Sequence, residues 1–448
     1  EAVRSTSARK TAVFIASLFT VTTAVGALAA EMKWSYDEAV KTVSVKGYGM
    51  INDAAELSEY LNDAKIIDVQ RGVTKIDKNV FASLGSVEKV RLPDGLVSIG
   101  DNSFNLSSEL QTVEFPESLE SIGTEAFMGC TSLNNVVIPG NVSSIGANAF
   151  AGCISVKEFN VSSENSSFTA VDGVIFTKDK KELVMYPAGK RAEEYTIPDG
   201  TVKIREKAFA YNENLKKIVI PESVSEIGDY AFYYCDSLKT ADLKCDNQSS
   251  LKSIGSYAFY GCKFKNIFIP FGTEVIGDDA FKNCDTLTYA DIPQTVIDIG
   301  GDAFYGVGDS IKITGFGSYL RDFAEKSGIP FSESVRVKIN EKEIRFDCAA
   351  TVRNGCTMVP MRKIFEELGA EVSWDGESQT AIGTKNGDTY AVTIGDNKIY
   401  KNGQAKELSA PAFIESGRTL VHARAIAEAF GAEVSWNGEK GIVTVQIK

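Results

Sequence analysis

The chain has 448 residues, 44% of them hydrophobic and 24% charged, which is ample for a sizeable core and longer than one globular domain usually runs. Its formal charge of −13 argues against the basic surfaces that nucleic acids or anionic membranes require, and no Lys/Arg cluster lies beyond the extreme N-terminus. The chain holds one histidine and no obvious catalytic motif.

Residues 1–30 carry basic Arg4, Arg9 and Lys10 and then an uncharged run from Thr11 to Ala30, in which Ala27 and Ala29 are the small residues a signal peptidase reads. The pattern predicts a secretory signal peptide. The competing reading is an uncleaved membrane anchor, because the 20 residues of that run can just span a bilayer. Residues 31–66 lead into the pattern that follows without sharing it. Their "KTVSVKGYG" (Lys41 to Gly49) alternates as a strand does and then breaks at glycine, which predicts an N-terminal cap. Stacked repeats need such a cap, since an open end exposes apolar surface and an unpaired strand edge.

From residue 67 to 331 a repeat dominates. Phenylalanines stand at 81, 104, 127, 150, 209, 232, 259, 281 and 304, and five of the intervals are 23 residues. A constant period in the low twenties marks a leucine-rich-repeat solenoid, because one coil cannot bury its own apolar face and must stack on the next. Each period carries a short strand ended by proline, as in "VRLP" from Val90, "VVIP" from Val136 and "IFIP" from Ile267. Along "LKKIVIP", alternation puts Leu215, Ile218 and Ile220 inside and leaves Lys217 and Val219 outside. The interval from Phe150 to Phe209 is too long by 36 residues and holds two apolar segments around Lys178 to Lys181, which predicts a hairpin insertion over about 162–196. A four-residue bulge near Cys245 to Gln248 explains the interval of 27 before Phe259. "GSYLRDFAEKSGIPF" (Gly317 to Phe331) switches to helical spacing, with Leu320, Phe323 and Ala324 on one face, and predicts the C-terminal cap.

The frame "IP-x-x-V-x-x-IG-x-x-AF-x-x-C", the hairpin "VDGVIFTKDKKELVMYPAGK" and the ending "AEKSGIPF" resemble the BspA-type leucine-rich repeats of bacterial surface proteins, over Ala39 to Phe331. The resemblance implies extracellular display and adhesion or contact with host or matrix. It does not imply one ligand.

Beyond Ser334 the period gives way to a duplication. "TMVPMRKIFEELGAEVSWDGESQTA" from Thr357 matches "TLVHARAIAEAFGAEVSWNGEKGIV" from Thr419 at an offset of 62 residues, which pairs Arg362 with Arg424, Gly369 with Gly431, Glu371 with Glu433 and Trp374 with Trp436. In each half a short helix, with Ile364, Phe365 and Leu368 in the first, stops at the glycine and passes into a strand bearing the tryptophan. Two helices on a small, mainly antiparallel sheet are expected over 335–448. "RTLVHARAIAEAFGAEVSWN" and its partner copy resemble the copper amine oxidase N-terminal-like, or stalk, domain, which in its family is a spacer outside the catalytic part. Copper requires a cluster of imidazole or thiolate ligands, whereas His422 stands alone, in the place of Pro360. No copper, other metal or cofactor is expected.

Five of the eight cysteines, Cys130, Cys153, Cys235, Cys262 and Cys284, follow a repeat phenylalanine by three, and Val307 takes the place of the thiol in the last coil. A small buried hydrophobe would serve there. A disulfide along the column is the other reading, since coils about 4.8 Å apart bring Cα atoms near bridging range. Cys348 and Cys356 face Ala410 and Arg418 in the second half, so that pair is the expected bridge.

No Ser-His-Asp order, nucleophile elbow or Gly-rich phosphate loop occurs, so no catalytic residues are assigned and no enzyme is expected. The whole is read as a β-rich leucine-rich-repeat solenoid with a hairpin insertion and end caps, followed by a small α+β domain of two similar halves. The expected function is secreted or cell-surface adhesion to a protein, matrix, cell-surface or cell-wall partner, with no nucleic acid and with membrane contact only through an uncleaved N-terminal segment. No sortase-type motif stands at the C-terminal end, so covalent wall anchoring is not expected. A structural envelope protein that docks through its C-terminal domain is the alternative, and a wall-glycan hydrolase using carboxylates is a third. The candidate face comprises two outward columns on the strands. One runs Arg91, Glu114, Val137, Val219, Asp242, Phe268 and Asp291; the other runs Lys89, Thr112, Asn135, Lys217, Thr240, Asn266 and Tyr289. Val137, Val219, Phe268 and Tyr289 are the candidate anchors, against the competing reading of an ordinary solvated surface.

Overall fold

The computed structural model describes residues 32–54, 58–244, 249–344, 346, 350–353, 355–415, 418–438 and 441–447. The signal-peptide segment, the bulge at Cys245 to Gln248, and Cys348 lie outside the described residues.

Each coil of the repeat region has three sides. The first is a strand of three or four residues, such as Lys89–Arg91 or Thr112–Glu114, paired in parallel with its equivalent one coil away. The second is a two-residue strand, such as Ser98–Ile99 or Ser121–Ile122, also parallel. The glycine after it lets the coils approach: a Cβ on Gly146 would lie 2.3 Å from the amide nitrogen of Thr124, and one on Gly300 would lie 2.3 Å from that of Asp278. The third side is the phenylalanine turn. Residues two before and two after the phenylalanine adopt left-handed backbone, as Asn102 (φ 55°) and Leu106 (φ 60°) do around Phe104. This geometry turns the phenylalanine amide toward the next coil, so Phe104 N donates to Ala126 O at 2.7 Å and Phe127 N to Ala149 O at 2.8 Å.

The rings of this turn form the spine of the core. Phe81, Phe104, Phe127 and Phe150 stack with centroids 5.4, 5.1 and 5.3 Å apart, and all are buried. A second stack runs through Phe209, Phe232, Phe259, Phe281 and Phe304. Between them lies the insertion, where Phe168–Val171, Val174–Thr177 and Glu182–Met185 form an antiparallel hairpin array whose last strand joins Lys203–Ile204 in parallel. Its alternation serves two cores at once. Phe168, Ile175, Val184 and Met185 face the N-terminal core, while Val174, Phe176, Leu183 and Tyr186 face the C-terminal one. Tyr186 begins the second stack, 4.8 Å from Phe209, and its amide donates to Ala208 O at 2.8 Å. The inserted segment is therefore a coil in its own right, with tyrosine in the phenylalanine position one period before Phe209.

Both ends are closed. Lys33–Asp37 pairs antiparallel with Thr42–Lys46, the first strand of the parallel ladder, and covers its edge. At the far end the helix Ser318–Lys326 buries Leu320 and Ala324, Phe323 packs edge-on against Phe304 at 6.2 Å, and Phe331–Glu333 adds a last parallel strand.

The C-terminal domain is built about a pseudo-two-fold axis. Strands Cys356–Pro360 and Arg418–His422 pair antiparallel, with Val359 opposite its own equivalent Val421, Met358 opposite His422 and Pro360 opposite Leu420. Helices Met361–Glu367 and Ala423–Ala429 follow the two strands. The single small sheet expected from the sequence is replaced by three, of four, four and five strands. The halves differ because Asp388–Thr393 is inserted next to Thr380–Lys385 in the first, whereas in the second Ile442–Gln446 pairs in parallel with Arg336–Ile339 from the chain leaving the solenoid.

That strand also ties the two regions together. Arg336 is buried against Glu343 in an ion pair, donates to Ile269 O at 3.1 Å and lies over the Phe271 ring at 5.6 Å. Phe316 meets Trp436 edge-on at 6.1 Å, and only glycine fits beneath it, because a Cβ on Gly441 would lie 2.6 Å from the ring.

Two outcomes follow. Phe127→Ala, which opens a hole in the middle of the first stack, is expected to lower stability in denaturant titration by about 3–5 kcal/mol. Arg336→Ala removes a buried ion pair with Glu343 together with the bond to Ile269 O and is expected to destabilise the C-terminal domain in calorimetry by about 3–5 kcal/mol; a change below about 1 kcal/mol would show the junction to be loosely held.

Candidate partner-binding face

The outward columns exist as registers of the first-side strands. Lys89 lies beside Thr112 and Arg91 beside Glu114, a bridge joins Thr112 to Asn135, and Val137 lies beside Asn160. After the hairpin, Lys217 lies beside Thr240 and Val219 beside Asp242, then Asn266 beside Tyr289 and Phe268 beside Asp291. These strands fall in four sheets, divided after Thr112–Glu114, at the hairpin and before Asn266, so the columns run in stretches and not as one uninterrupted face. Ion pairs one coil apart lace the surface, with Lys65 to Glu88 at 2.8 Å, Lys89 to Glu114 at 3.7 Å and Lys217 to Glu194 at 3.2 Å. Being exposed, each contributes at most about 1 kcal/mol, and they serve mainly to present alternating charge.

The candidate anchors differ in exposure. Val137 is 46% exposed, and Arg91, Glu114, Asn135, Thr240 and Asn266 are exposed with it. Lys89, Thr112, Lys217, Val219, Asp242, Phe268, Tyr289 and Asp291 are half-buried. At the C-terminal end the face is used internally. Phe268 and Tyr289 pack with centroids 5.6 Å apart, Thr314 Oγ1 lies 3.0 Å from the Tyr289 hydroxyl, and Asp291 Oδ1 accepts from Thr314 Oγ1 at 2.8 Å and Ser334 Oγ at 3.1 Å. Ser334 begins the link to the second domain. The open stretch is the N-terminal one, around Arg91, Glu114, Asn135 and Val137.

The cysteine column has a role that neither sequence reading anticipated. Cys130, Cys153, Cys235, Cys262 and Cys284 are buried free thiols. Each Sγ donates to the phenylalanine carbonyl of the preceding coil: Cys130 to Phe104 at 3.2 Å, Cys153 to Phe127 at 3.1 Å, Cys235 to Phe209 at 3.2 Å, Cys262 to Phe232 at 3.3 Å and Cys284 to Phe259 at 3.2 Å. Ser107 occupies the same position and directs its hydroxyl at Phe81 O, 3.5 Å away. The position accommodates a small donor that adds a second bond to a phenylalanine carbonyl already bonded to an amide of its own turn, and Val307 fills it without one. Burial pushes the thiols of Cys130, Cys235 and Cys284 up to about 12 and those of Cys153 and Cys262 well above the ordinary value. The disulfide reading of the column is therefore replaced. Cys356 is likewise a free thiol, and the bridge expected between it and Cys348 falls on a residue outside the described ones.

His422 is buried beside the pseudo-two-fold axis, and its Nδ1 has no hydrogen-bond partner. Burial, and then the charge of Arg424, hold its pKa below the ordinary value, so the ring is neutral at pH 7. Among the described residues, no group of three or more His, Cys, Asp or Glu side chains is arranged to hold a metal ion.

A second exposed feature was missed in the sequence. Tyr211, Tyr230, Tyr233, Tyr234, Tyr257 and Tyr260 gather on the phenylalanine-turn side of adjacent coils, Tyr230 and Tyr257 stacking at 4.7 Å and 2°, and Tyr234 remaining 39% exposed. The signal was legible as tyrosines flanking the repeat phenylalanine in "AFAY", "YAFYYC" and "YAFYGC".

The repeat geometry agrees with comparison to known proteins. The family described as BspA type Leucine rich repeat region matches residues 59–180 and 188–308, and the family described as Copper amine oxidase N-terminal domain matches residues 338–445. The chain belongs to the BspA-type leucine-rich-repeat family and carries a C-terminal domain of the second kind. Among solved structures, the pneumococcal vaccine antigen PcpA is similar with a TM-score of 0.52 at 20% identity, over 68% of this chain and 97% of that one. A leucine-rich cell surface protein from Faecalibacterium prausnitzii is similar with a TM-score of 0.47 at 23% identity, over 68% of this chain and 98% of that one. The likeness to PcpA shows the fold of the repeat region alone. None of the curated proteins compared matches the chain.

The thiol geometry sets an expectation. A disulfide reagent applied to the native protein at pH 7 should label Cys356 and leave the five column cysteines unmodified until the chain is unfolded. Rapid labelling of the column in the folded protein would contradict its burial.

Proposed function

We propose that the chain is an extracellular, non-enzymatic binding protein that adheres to a host, matrix or cell-surface partner through its repeat region. The observation that supports this most directly is the open N-terminal stretch of the strand face, where Arg91, Glu114, Asn135 and Val137 stand exposed in register on a backbone held by stacked coils. Membership of the BspA-type family supports the same reading. The C-terminal end of the face, with Phe268, Tyr289 and Asp291, supports the domain junction instead and is not part of the contact. Secretion follows from the basic-then-apolar N-terminal segment and is part of the proposal. The structural-envelope reading, in which the C-terminal domain docks, is favoured by one observation only, a cationic cleft in that domain.

The test is the pair Arg91→Ala with Val137→Ser, measured for adhesion to immobilised matrix proteins and to whole cells, together with thermal unfolding. Adhesion is expected to fall about tenfold while the unfolding temperature holds. Unchanged adhesion would remove the strand face from the function, and recovery of the protein only from the cytosol on fractionation would overturn the extracellular reading.

A further inference from the structure

The cleft lies in the first half of the C-terminal domain, has a volume of about 800 Å³, and is walled by the helix Met361–Glu367, the strand Glu371–Asp375 and the ends of the two strands that carry Ile414 and Arg418. Its lining combines the apolar side chains Met361, Val372 and Ile414 with charged and hydroxyl groups. Trp374 stands at the edge and is 44% exposed. Three cations, Arg362, Lys363 and Arg418, line the cleft against one carboxylate, Glu366. Lys363 is held by Glu367 at 2.8 Å, which fixes it beside the cleft. In a chain of formal charge −13, the side chains lining this concavity carry an excess of positive over negative charge, even with Lys363 paired to Glu367.

The internal duplication supplies a control within the same molecule. At the offset of 62 residues, Trp374 corresponds to Trp436 and Arg362 to Arg424, but Lys363 corresponds to Ala425 and Arg418 to Cys356. The second half thus keeps the tryptophan and loses two of the three cations. Its tryptophan is already engaged, because Phe316 from the end of the solenoid meets Trp436 edge-on at 6.1 Å. The tryptophan surface of this domain therefore receives a ring from outside the domain. In the first half the same surface adjoins cations.

We propose that this cleft binds an anionic glycan, a pyranose ring bearing a carboxylate or phosphate. Trp374 offers an apolar face to the sugar, and Arg362, Lys363 and Arg418 offer donors to the anion. Ser373, Thr419 and Glu366, which also line the cleft, supply the hydroxyl and carboxylate partners that a ring rich in hydroxyls requires and that an apolar peptide side chain would leave unmet. The inference stands independently of the strand face, so its failure and that of the adhesion reading are separable.

The full chain is titrated by calorimetry with oligogalacturonate, which carries carboxylates, and with phosphomannan, which carries phosphates; neutral mannan and poly-glutamate serve as controls. Binding to either charged glycan, weakened by salt and absent with mannan, is expected, and the arm that binds identifies the anion. Trp374→Ala and Arg362→Gln should each weaken binding about tenfold, with Trp436→Ala leaving it unchanged. Both positions are exposed, and thermal unfolding of each variant confirms the fold; Arg362→Gln alone decides if Trp374→Ala does not fold. Binding to neither glycan, equal or tighter binding to poly-glutamate, or binding insensitive to both substitutions would overturn the proposal.

Discussion

The stacking of one aromatic ring per coil on its equivalent in the next coil is the constraint on which the rest of the molecule depends. A coil of 23 residues cannot enclose a core, so its phenylalanine is buried only by neighbouring coils. Rings at 4.7–5.4 Å fix the separation of the coils. At that separation the short strands pair, glycines are required where backbones meet, and a phenylalanine carbonyl already bonded to an amide of its own turn comes within reach of a small donor from the following coil. Thiol and hydroxyl side chains each supply that bond, as at Cys130 and Ser107, and this is why cysteine recurs in a molecule whose column is made of buried free thiols.

The same constraint decides where the surface is available. Strand residues that alternate outward are held in register whether or not they are used, which makes a rigid display at Arg91, Glu114 and Val137. The hairpin interrupts the ring stack and the strand ladders but packs against both cores, because its strands alternate between the two and Tyr186 begins the second stack. At the last coils the display is consumed. Asp291 and Ile269 O hold Ser334 and Arg336, and Phe316 reaches Trp436, so the solenoid and the C-terminal domain share side chains across their junction.

Much of this was legible before any coordinates. The phenylalanine period, the strands ended by proline, the hairpin around Lys178 to Lys181 and the offset of 62 residues each reflect a local rule that one sequence can show. What was not legible depends on contacts distant in the chain. The half-burial of Phe268 and Tyr289 comes with their packing on each other and with Thr314 beside the Tyr289 hydroxyl, and Asp291 in the same column is taken up by Ser334 of the link, which lies outside the period. Spacing could not distinguish the cysteine as donor from the cysteine as small hydrophobe, because both are buried and small. Tyr186 was hidden by the expectation of phenylalanine in its place. The cleft of the first half arises from an asymmetry between two copies that matched well enough to be read as equivalent.

Native-state amide hydrogen exchange of the full chain under rising denaturant tests most directly whether this array is one unit. The slowest amides of Lys89–Arg91 and Thr112–Glu114, before the hairpin, and of Lys217–Val219 and Asn266–Phe268, after it, report the two cores separately. If the hairpin joins the cores as its alternation indicates, all four strands converge on a single unfolding free energy. Two groups with distinct free energies, divided at the hairpin, would contradict it.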